Sequence, residues 1–334
     1  MKTLKKLLLL LFVSFIVHPI FSQDVLSLFA TNGPQAQQRS LEVFRRYSTP
    51  LTQSYAWSTS LGWMYTARPH KPIGFDISVS TAGIIMPDNA LYFNVDDIEG
   101  VRVISGNKNL PTFFGSNTQE TVIGIKNDDG SEAVIPASKG INIDFSVLPS
   151  IKIGLGVGQN TELIGKLFPK VEYNGIVIKM WGAGFKHNIA EWFFNEKSPF
   201  DFSLFAGYTQ LEGQYPLDNS QIAPVVDPGL LMFETKGGNF EAMLSKTLPL
   251  LTIYTSAGYV YTKNETKLKG DYTLLNLTDE SLNIPDDEIL DIYRLQSWKF
   301  TAGLMFKIGL VYFNGDYTFG WSHQINVGLG LTMK

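Results

Sequence analysis

Residues 324–334 read QINVGLGLTMK and alternate between two kinds of side chain without a break. The apolar set comprises Ile325, Val327, Leu329, Leu331 and Met333, and small or polar residues separate its members. Because successive side chains of a strand point to opposite faces, this pattern predicts a strand with one apolar face and one small or polar face.

The same alternation recurs along most of the chain, for example in residues 73–80 and 298–308. Six charged residues lie on the non-apolar faces of such strands: Asp76, Asp144, Lys152, Asp201, Lys299 and Lys307. The other residues of those faces are mostly Gly, Ser, Thr and Ala, which suit a crowded barrel interior. We therefore expect the six charged side chains to line a lumen. There they either contact a ligand or pair with one another to hold a closed barrel.

The composition favours a membrane barrel over a soluble domain. Charged residues make up 17% of the chain, against about 25% in ordinary soluble domains. After residue 22 no run is long and apolar enough for a membrane-spanning helix. Strands can satisfy their backbone in lipid only by closing into a barrel. The predicted fold class is all-β: a transmembrane antiparallel β-barrel of about 12–14 strands, with a short N-terminal helical segment.

The first 22 residues have the features of an export signal. Lys2, Lys5 and Lys6 precede an apolar run at 7–17, and Ser22 offers a small residue for cleavage. The alternative is an N-terminal membrane anchor, for which the run is short. The chain has no cysteine, which excludes a lipid-modified cysteine, disulfides and thiolate metal sites. We expect the protein in the outer membrane of a Gram-negative bacterium, with outer-membrane lipid as a partner.

The mature chain divides into an N-terminal segment at 23–50, a candidate plug for the lumen, and a barrel at 51–334. Pro34 suits the first turn of a helix, and Pro50 is expected to end it. Residues 54–67 then alternate like a strand. Tyr55 and Tyr65 lie at its two ends, at the separation expected for the two aromatic girdles of a membrane barrel.

Loop lengths give an approximate strand count. Pro149 and Pro249 predict tight periplasmic turns, whereas 211–229 and 263–297 predict long outer loops. The strands counted in this way are odd in number, which leaves the first strand starting on the wrong side. An odd number of crossings must then lie within residues 86–140, so we predict twelve or fourteen strands, about the usual range for such barrels.

Few residues suggest chemistry. His70, His187 and His323 show no ligand spacing, so we predict no metal site. The acidic clusters at 96–99 and 286–288 lack the pattern of a calcium loop. The glycines of 154–158 lie within a strand, where a phosphate loop is not expected. We predict no cofactor, no nucleic-acid partner and no enzymatic activity, although catalytic groups distant in sequence can assemble in a fold.

Four short motifs carry a family resemblance: YSTPL at 47–51, LGWMYTA at 61–67, HKPIGFD at 70–76 and GFKHNI at 184–189. With them the chain resembles an uncharacterised family of Gram-negative outer-membrane β-barrel proteins, a domain of unknown function. More distantly it is similar to barrels of the long-chain fatty-acid transporter type, which have an N-terminal plug. The chain departs from many outer-membrane barrels by ending on Met333 and Lys334 instead of an aromatic residue.

Three functions remain open from the sequence. The first is a barrel that passes or binds small hydrophobic molecules, with such a molecule as its ligand. The second is a non-transporting barrel that acts as a scaffold or surface-binding protein through long extracellular loops. The third is a secreted soluble β-sandwich.

Overall fold

The computed structural model describes residue 28 and residues 31–173, 175–193, 198–216, 230–269, 272–274, 282–284 and 288–333. The predicted export signal at 1–22 lies outside the described residues. In chain order the elements are α1 (Pro34–Ser58), β1 (Phe75–Ile85), a short 3-10 helix (Asp88–Ala90), β2 (Tyr92–Phe93), β3 (Val101–Ser105), β4 (Leu110–Pro111), β5 (Val122–Lys126), β6 (Glu132–Pro136), β7 (Phe145–Gly158), β8 (Thr161–Tyr173), β9 (Ile176–Asn188), α2 (Ala190–Phe193), β10 (Asp201–Pro216), β11 (Leu230–Thr247), β12 (Leu251–Lys269), β13 (Tyr272–Leu274), β14 (Leu282–Ile284), β15 (Glu288–Ile308), β16 (Val311–Phe319) and β17 (His323–Met333).

Ten strands form a closed antiparallel barrel in the order β1-β17-β16-β15-β12-β11-β10-β9-β8-β7. β1 closes the ring, because Phe75 pairs with Met333 of β17 on one side and with Leu155 of β7 on the other. Each barrel strand therefore has a neighbour on both sides over part of its length. The predicted antiparallel barrel is therefore confirmed, and the soluble β-sandwich is wrong, since a sandwich consists of two separate facing sheets. No helix in the described part of the chain has the length and apolarity to cross a bilayer.

The apolar faces of the strands point outward. On β17, Ile325 and Leu331 are about half exposed, whereas Gln324 and Thr332 of the opposite face are buried. This is the arrangement that a lipid environment requires, with apolar residues outside and polar residues in the lumen.

The predicted strand count is wrong for four reasons, of which the loss of the predicted strand at 54–67 is one. β7 runs through Pro149, because its residues 145–150 pair only with β1 and the other edge lacks a partner there. The residues 86–140 contribute no barrel strand. β8, whose alternation the sequence analysis did not identify, adds one crossing.

Residues 54–67 are not a strand. α1 begins at Pro34 as expected but continues past Pro50 to Ser58, so the predicted helix end is also wrong. A proline inside a helix costs about 3 kcal/mol, and the burial of the surrounding turns offsets that cost, since Leu51, Tyr55 and Trp57 are all buried.

Two ends of the barrel can be distinguished. The turn end carries the connections at 158–160, 248–250 and 309–310, together with the start of β1 and the end of β17. The opposite, long-loop end carries the connections at 86–144, 217–229 and 270–287. The predicted loops at 211–229 and 263–297 are shorter than expected, because β10, β12 and β15 extend into them to Pro216, to Lys269 and from Glu288.

Residues 86–144 fold into a small unit at the long-loop end, which we call the cap. It contains the three-stranded sheet β3-β5-β6 and the pair β2-β4. Tyr47 of α1 packs edge-on against Phe113 of the cap, with ring centroids 6.4 Å apart. The first half of α1 thus lies against the cap at the long-loop end of the barrel.

The aromatic belt differs from the one predicted. Tyr55 and Tyr65 are buried inside the barrel, so they form no girdle. Six of the outward aromatic side chains lie on the neighbouring strands β9, β10, β11, β12 and β15: Trp181, Tyr208, Phe240, Tyr259, Tyr261 and Trp298. Ring contacts join them, for example Trp181 to Tyr208 at 5.7 Å and Tyr259 to Trp298 at 5.2 Å. We call these six residues the aromatic belt.

Candidate functional site in the barrel lumen

The chain itself occupies the lumen. Residues 51–72, which we call the lumen segment, run from the long-loop end to the turn end. Trp57 contacts Trp321 near the long-loop end, and Trp63 then packs on Phe205 with ring centroids 5.1 Å apart. Further along, the segment reaches β16, β8 and β17 through Tyr65 and His70. It then leads directly into β1.

Three buried lysines of the barrel wall hold this segment by its backbone. Lys299 Nζ donates to the carbonyl oxygen of Ser60 at 2.7 Å, Lys166 Nζ to that of Leu61 at 2.5 Å, and Lys186 Nζ to that of Thr66 at 3.2 Å. We call these residues the lysine clamp. Residues 59–72 lack a helix or strand, and their buried carbonyl groups need side-chain donors. The clamp supplies them.

Two clamp lysines also have carboxylate partners. Lys299 Nζ lies 2.6 Å from Glu241 Oε1, and Lys186 Nζ lies 3.1 Å from Glu162 Oε2. Within the described chain no carboxylate lies within 4.0 Å of Lys166, whose ammonium is 5.5 Å from the centroid of the Trp63 ring. Buried charges are tolerated when they are paired and hydrogen-bonded. Lys186 and Lys299 meet this requirement, whereas the partners of Lys166 are the carbonyl oxygen of Leu61 and the Trp63 ring.

Two wall acids that have no lysine nitrogen within 4.0 Å in the described chain accept hydrogen bonds from tyrosines. Tyr254 Oη donates to Asp316 Oδ2 at 2.9 Å, and Tyr312 Oη donates to Asp76 Oδ2 at 3.0 Å. Tyr312 also packs on Tyr65 of the lumen segment, with ring centroids 4.4 Å apart. The acidic side chains of the wall are therefore part of the same packing that closes the lumen.

A second cluster fixes the foot of the lumen segment. His70 Nδ1 lies 2.9 Å from Glu162 Oε2, and His70 Nε2 lies 2.9 Å from Thr332 Oγ1. The backbone N–H of His70 donates to the same Glu162 oxygen at 3.0 Å. These bonds join the end of the segment to β8 and β17.

His70, Asp76 and Glu162 place their ligand atoms within 4.8 Å of one another, the spacing of a metal site. The charges argue against a cation there. Glu162 Oε2 already accepts from His70 and from the Lys186 ammonium. The two carboxylates are balanced by Lys186 and by the buried Lys152, so a divalent ion would add two uncompensated charges in a buried place. We interpret the cluster as an ion-pair and hydrogen-bond network, and the absence of a metal stays a prediction.

The six predicted lumen residues fall into two groups. Asp76, Lys152 and Lys299 are buried among the strands, and β1–β7 pairing sets Asp76 diagonally from Lys152. The other three do not join them. Asp201 forms an ion pair with Arg68 at 3.0 Å, Lys307 is half-buried near the turn end, and Asp144 is exposed before β7 begins.

Sequence reasoning missed five buried charged residues of the lumen: Glu162, Lys166, Lys186, Glu241 and Asp316. One signal was available. A charged residue in the middle of a barrel strand is expected to face the lumen, because its burial in lipid costs about 2–4 kcal/mol for a lysine or arginine. Glu162 and Lys166 escaped because β8 was not identified as a strand.

A small cavity beside Gly62, Lys299 and Asp316 has room for about one water molecule. Gly62 adopts a left-handed conformation with φ 67°, which a residue with a side chain rarely adopts. In the described structure, residues 51–72 occupy the lumen.

At the long-loop end, α1 is attached to the cap by charged contacts. Arg46 Nη1 and Nη2 donate to the two Asp97 carboxylate oxygens at 2.6 and 2.9 Å. This hydrogen-bonded arginine lowers the pKa of Asp97. Asp128 accepts from the backbone N–H groups of Gln35 and Ala36 at 3.1 and 3.0 Å, satisfying free donors at the start of α1.

Comparison with protein families matches residues 1–333 to the family of unknown function DUF6588. The chain belongs to this family. The predicted resemblance to an uncharacterised barrel family is therefore confirmed. Among curated proteins none matches the sequence.

Three solved structures similar to this member of DUF6588 are bacterial proteins. The translocator domain of the autotransporter NalP from Neisseria meningitidis is 11% identical over 85% of this chain and 96% of its own, with a TM-score of 0.32. Ail, the attachment invasion locus protein of Yersinia pestis, is 10% identical over 78% and 99%, with a TM-score of 0.24. The toluene transporter TbuX of Ralstonia pickettii is 9% identical over 83% and 92%, with a TM-score of 0.25. At these TM-scores the similarities carry no argument about function.

Proposed function

We propose that this protein is an outer-membrane barrel of a Gram-negative bacterium that is closed by its own lumen segment and displays the cap at the cell surface. In this proposal the barrel is a scaffold, and the cap with the first half of α1 is the surface that meets partners outside the cell. It takes up the second of the functions considered from the sequence, with the cap as the part of the long extracellular connections that meets partners.

The observation that carries the proposal is that the lumen segment is anchored at both ends. At the long-loop end α1 is bound to the cap through Arg46 and Asp97. At the turn end His70 is bound to Glu162 and Thr332, and the chain continues into β1. Opening the lumen would break the three hydrogen bonds from the clamp ammonium groups to carbonyl oxygens of the segment. Each is worth about 1.5–3 kcal/mol because its donor is charged.

Display of the cap can be tested with two insertions. An epitope after Asn117, an exposed cap residue, should be detected by antibody on intact cells. An epitope after Gly309, in the turn between β15 and β16, should be detected only after the outer membrane is permeabilised. Detection of the Gly309 epitope and not the Asn117 epitope on intact cells would contradict the proposed orientation.

Closure is tested in proteoliposomes. Vesicles with the wild-type protein should swell no faster in sugar solutions than protein-free vesicles. Fast swelling of wild-type vesicles would contradict a closed barrel. Retention of the protein in the bilayer after an alkaline carbonate wash tests the membrane location separately.

A second candidate is passage or binding of small hydrophobic molecules, as the first sequence hypothesis stated. One observation favours it: residues 59–72 have no regular secondary structure, so they could rearrange without unfolding a helix or strand. Their carbonyl contacts with the lysine clamp are exchangeable. If passage occurs, Lys299→Met should admit a small neutral aromatic solute faster than wild type, and equal rates in both would argue against it.

The proposal includes no catalytic step and no nucleic-acid partner. The buried charged groups nearest the lumen segment are engaged with it or with one another. Outer-membrane lipid is the partner that the outward apolar faces call for.

A further inference from the structure

The outward face of the barrel carries an ordered row of cations directly beyond the aromatic belt. Strand pairing sets Lys236 of β11 opposite Lys263 of β12, and Lys263 opposite Arg294 of β15. All three side chains point outward, on the same faces as the belt residues Phe240, Tyr261 and Trp298. We call these three residues the cation row.

A row of carboxylates follows on the side away from the belt. Glu212 lies opposite Glu234, and Glu234 lies opposite Glu265. Along the strands, Lys236 Nζ is 2.8 Å from Glu234 Oε2, and Lys263 Nζ is 2.5 Å from Glu265 Oε1. Within the described chain no carboxylate lies within 4.0 Å of Arg294.

Pairing within the protein does not account for the arrangement. Like charges directly opposite on neighbouring strands are destabilising. Alternating the signs within each row would give favourable pairs both along and across the strands. Glu212 keeps one cross-strand pair, with Lys179 of β9 at 2.7 Å. Among Lys236, Lys263 and Arg294 the sorting into a row loses such pairs, so this row of one sign points to an external layer of opposite charge.

The side chains of the cation row are exposed enough to contact an external layer of negative charge. The side chains of Lys236 and Lys263 are 48% and 37% exposed, against 29% and 22% for their partners Glu234 and Glu265. Long cationic side chains at the edge of a membrane extend their charged ends toward the head groups. The row lies immediately beyond the belt, the level at which aromatic residues meet the head groups.

We propose that Lys236, Lys263 and Arg294 bind the phosphate groups of anionic lipids in the leaflet at the long-loop end. The inference rests on the proposed membrane location. The occupant is a lipid surface because the row is continuous with the lipid-facing belt. The row then orients the barrel and sets its depth, with the aromatic rings at the acyl boundary and the cations at the phosphates.

The test measures lipid preference of the full chain in vesicles. Brominated phosphatidylglycerol and brominated phosphatidylcholine quench tryptophans next to the bilayer, and the outward Trp298 lies on the same strand as Arg294. Competition between the two lipids gives the relative binding constant. The wild type should prefer the anionic lipid, and sodium chloride should weaken that preference by screening.

The variant K236Q/K263Q/R294Q should lose roughly fivefold or more of this preference, because each cation near an anionic surface strengthens binding about fivefold. The matched control K108Q/K126Q/K139Q removes three cations from the cap, away from the belt, and should keep the wild-type preference. Arg294→Gln alone removes the cation that has no ion pair in the described chain and should lower the preference without a folding effect.

Equal preference in the wild type and the triple variant would overturn the inference, as would an equal loss in the cap control. A different result would contradict the proposed membrane location: alkaline carbonate would release the protein from the vesicles. A protein that stays inserted and shows no anionic preference overturns only the role of the cation row.

Discussion

Lys299 Nζ lies 2.7 Å from the carbonyl oxygen of Ser60 and 2.6 Å from Glu241 Oε1, so one buried ammonium joins the lumen segment to two strands of the wall. Glu241 also accepts hydrogen bonds from Ser256 and Asn239. The hydrogen bond between Lys299 and Ser60 represents how the lumen segment is held, because it joins a charged side chain of the barrel wall to the backbone of the lumen segment.

Replacing this lysine should destabilise the closed state. Lys299→Met keeps the length of the side chain but leaves the buried Glu241 carboxylate without its ammonium, at a cost of about 3–5 kcal/mol. We expect a lower free energy of unfolding in a urea titration and ion currents across planar bilayers. Lys307→Met is the control: Lys307 lies near the turn end of the same strand, and no ion pair of it is found in the described chain. Similar behaviour of the two variants would contradict the clamp.

Gly156 should be intolerant of any side chain. A Cβ there would overlap the carbonyl oxygens of His70 and Lys71, where the lumen segment lies against β7. Gly156→Ala should reduce the free energy of unfolding by about 1–3 kcal/mol or more, because backbone must move. Gly165→Ala on the neighbouring β8 places its Cβ 4.0 Å from the nearest atom outside the adjacent residues and should be close to neutral. Thermal unfolding of both variants in the same detergent measures the difference.

Tyr55 should anchor the upper part of the lumen segment mainly through its ring. The ring stacks on Phe233 with centroids 4.8 Å apart, and the hydroxyl lies 2.7 Å from that of Tyr215. Tyr55→Ala should cost about 3–5 kcal/mol through the cavity left behind, and Tyr55→Phe about 1 kcal/mol through the lost hydrogen bond. Equal losses in urea titrations of the two variants would show that ring packing contributes nothing.

The attachment of α1 to the cap should weaken in acid. Arg46 lowers the pKa of Asp97 below its ordinary value of 3.8. A lowered folded pKa means that the contribution is complete above the ordinary value and is lost as the pH falls through the lowered one. Protease cleavage within the cap should therefore rise as the pH drops below about 4.

Asp97→Asn supplies the control for this acid effect. Glu132 titrates in the same direction, since Arg102 lowers its pKa as well, so a residual pH dependence is expected in the variant. The asparagine variant should show raised cleavage already at neutral pH and a smaller rise in acid. An unchanged acid profile in Asp97→Asn would assign the effect to other groups.

The sequence was sufficient for the strands whose two faces differ sharply. In β17 and in residues 75–79 of β1 every apolar residue of the pattern points outward, because a period of two leaves only one way to bury the polar set. The same alternation correctly predicted that Asp76, Lys152 and Lys299 face the lumen. It failed for Glu162 and Lys166, whose strand also contains Pro169 and a register shift between Phe168 and Val171 that breaks the alternation.

It also failed where two structures fit one pattern. Residues 54–67 alternate like a strand, yet 54–58 complete α1 and the rest is irregular chain in the lumen. Aromatic residues at both ends of this stretch are compatible with two membrane girdles and equally with ring contacts inside the barrel. The structure shows the ring contacts, of Tyr55 with Phe233 and of Tyr65 with Tyr312. Such contacts join residues more than 150 positions apart, as between Tyr55 and Tyr215, and no local pattern records them.

The sequence by itself determined that this chain forms a barrel with its apolar stripes outward, because side-chain alternation is a local property of each strand. Only the tertiary structure decided that there are ten barrel strands, that residues 51–72 fill the lumen, and that residues 86–144 form a cap. Those outcomes depend on which distant groups meet, above all the clamp lysines and the carbonyl groups of Ser60, Leu61 and Thr66. Burying a charge has a large desolvation cost, which is offset only when a partner from a distant part of the chain forms an ion pair or hydrogen bond with it.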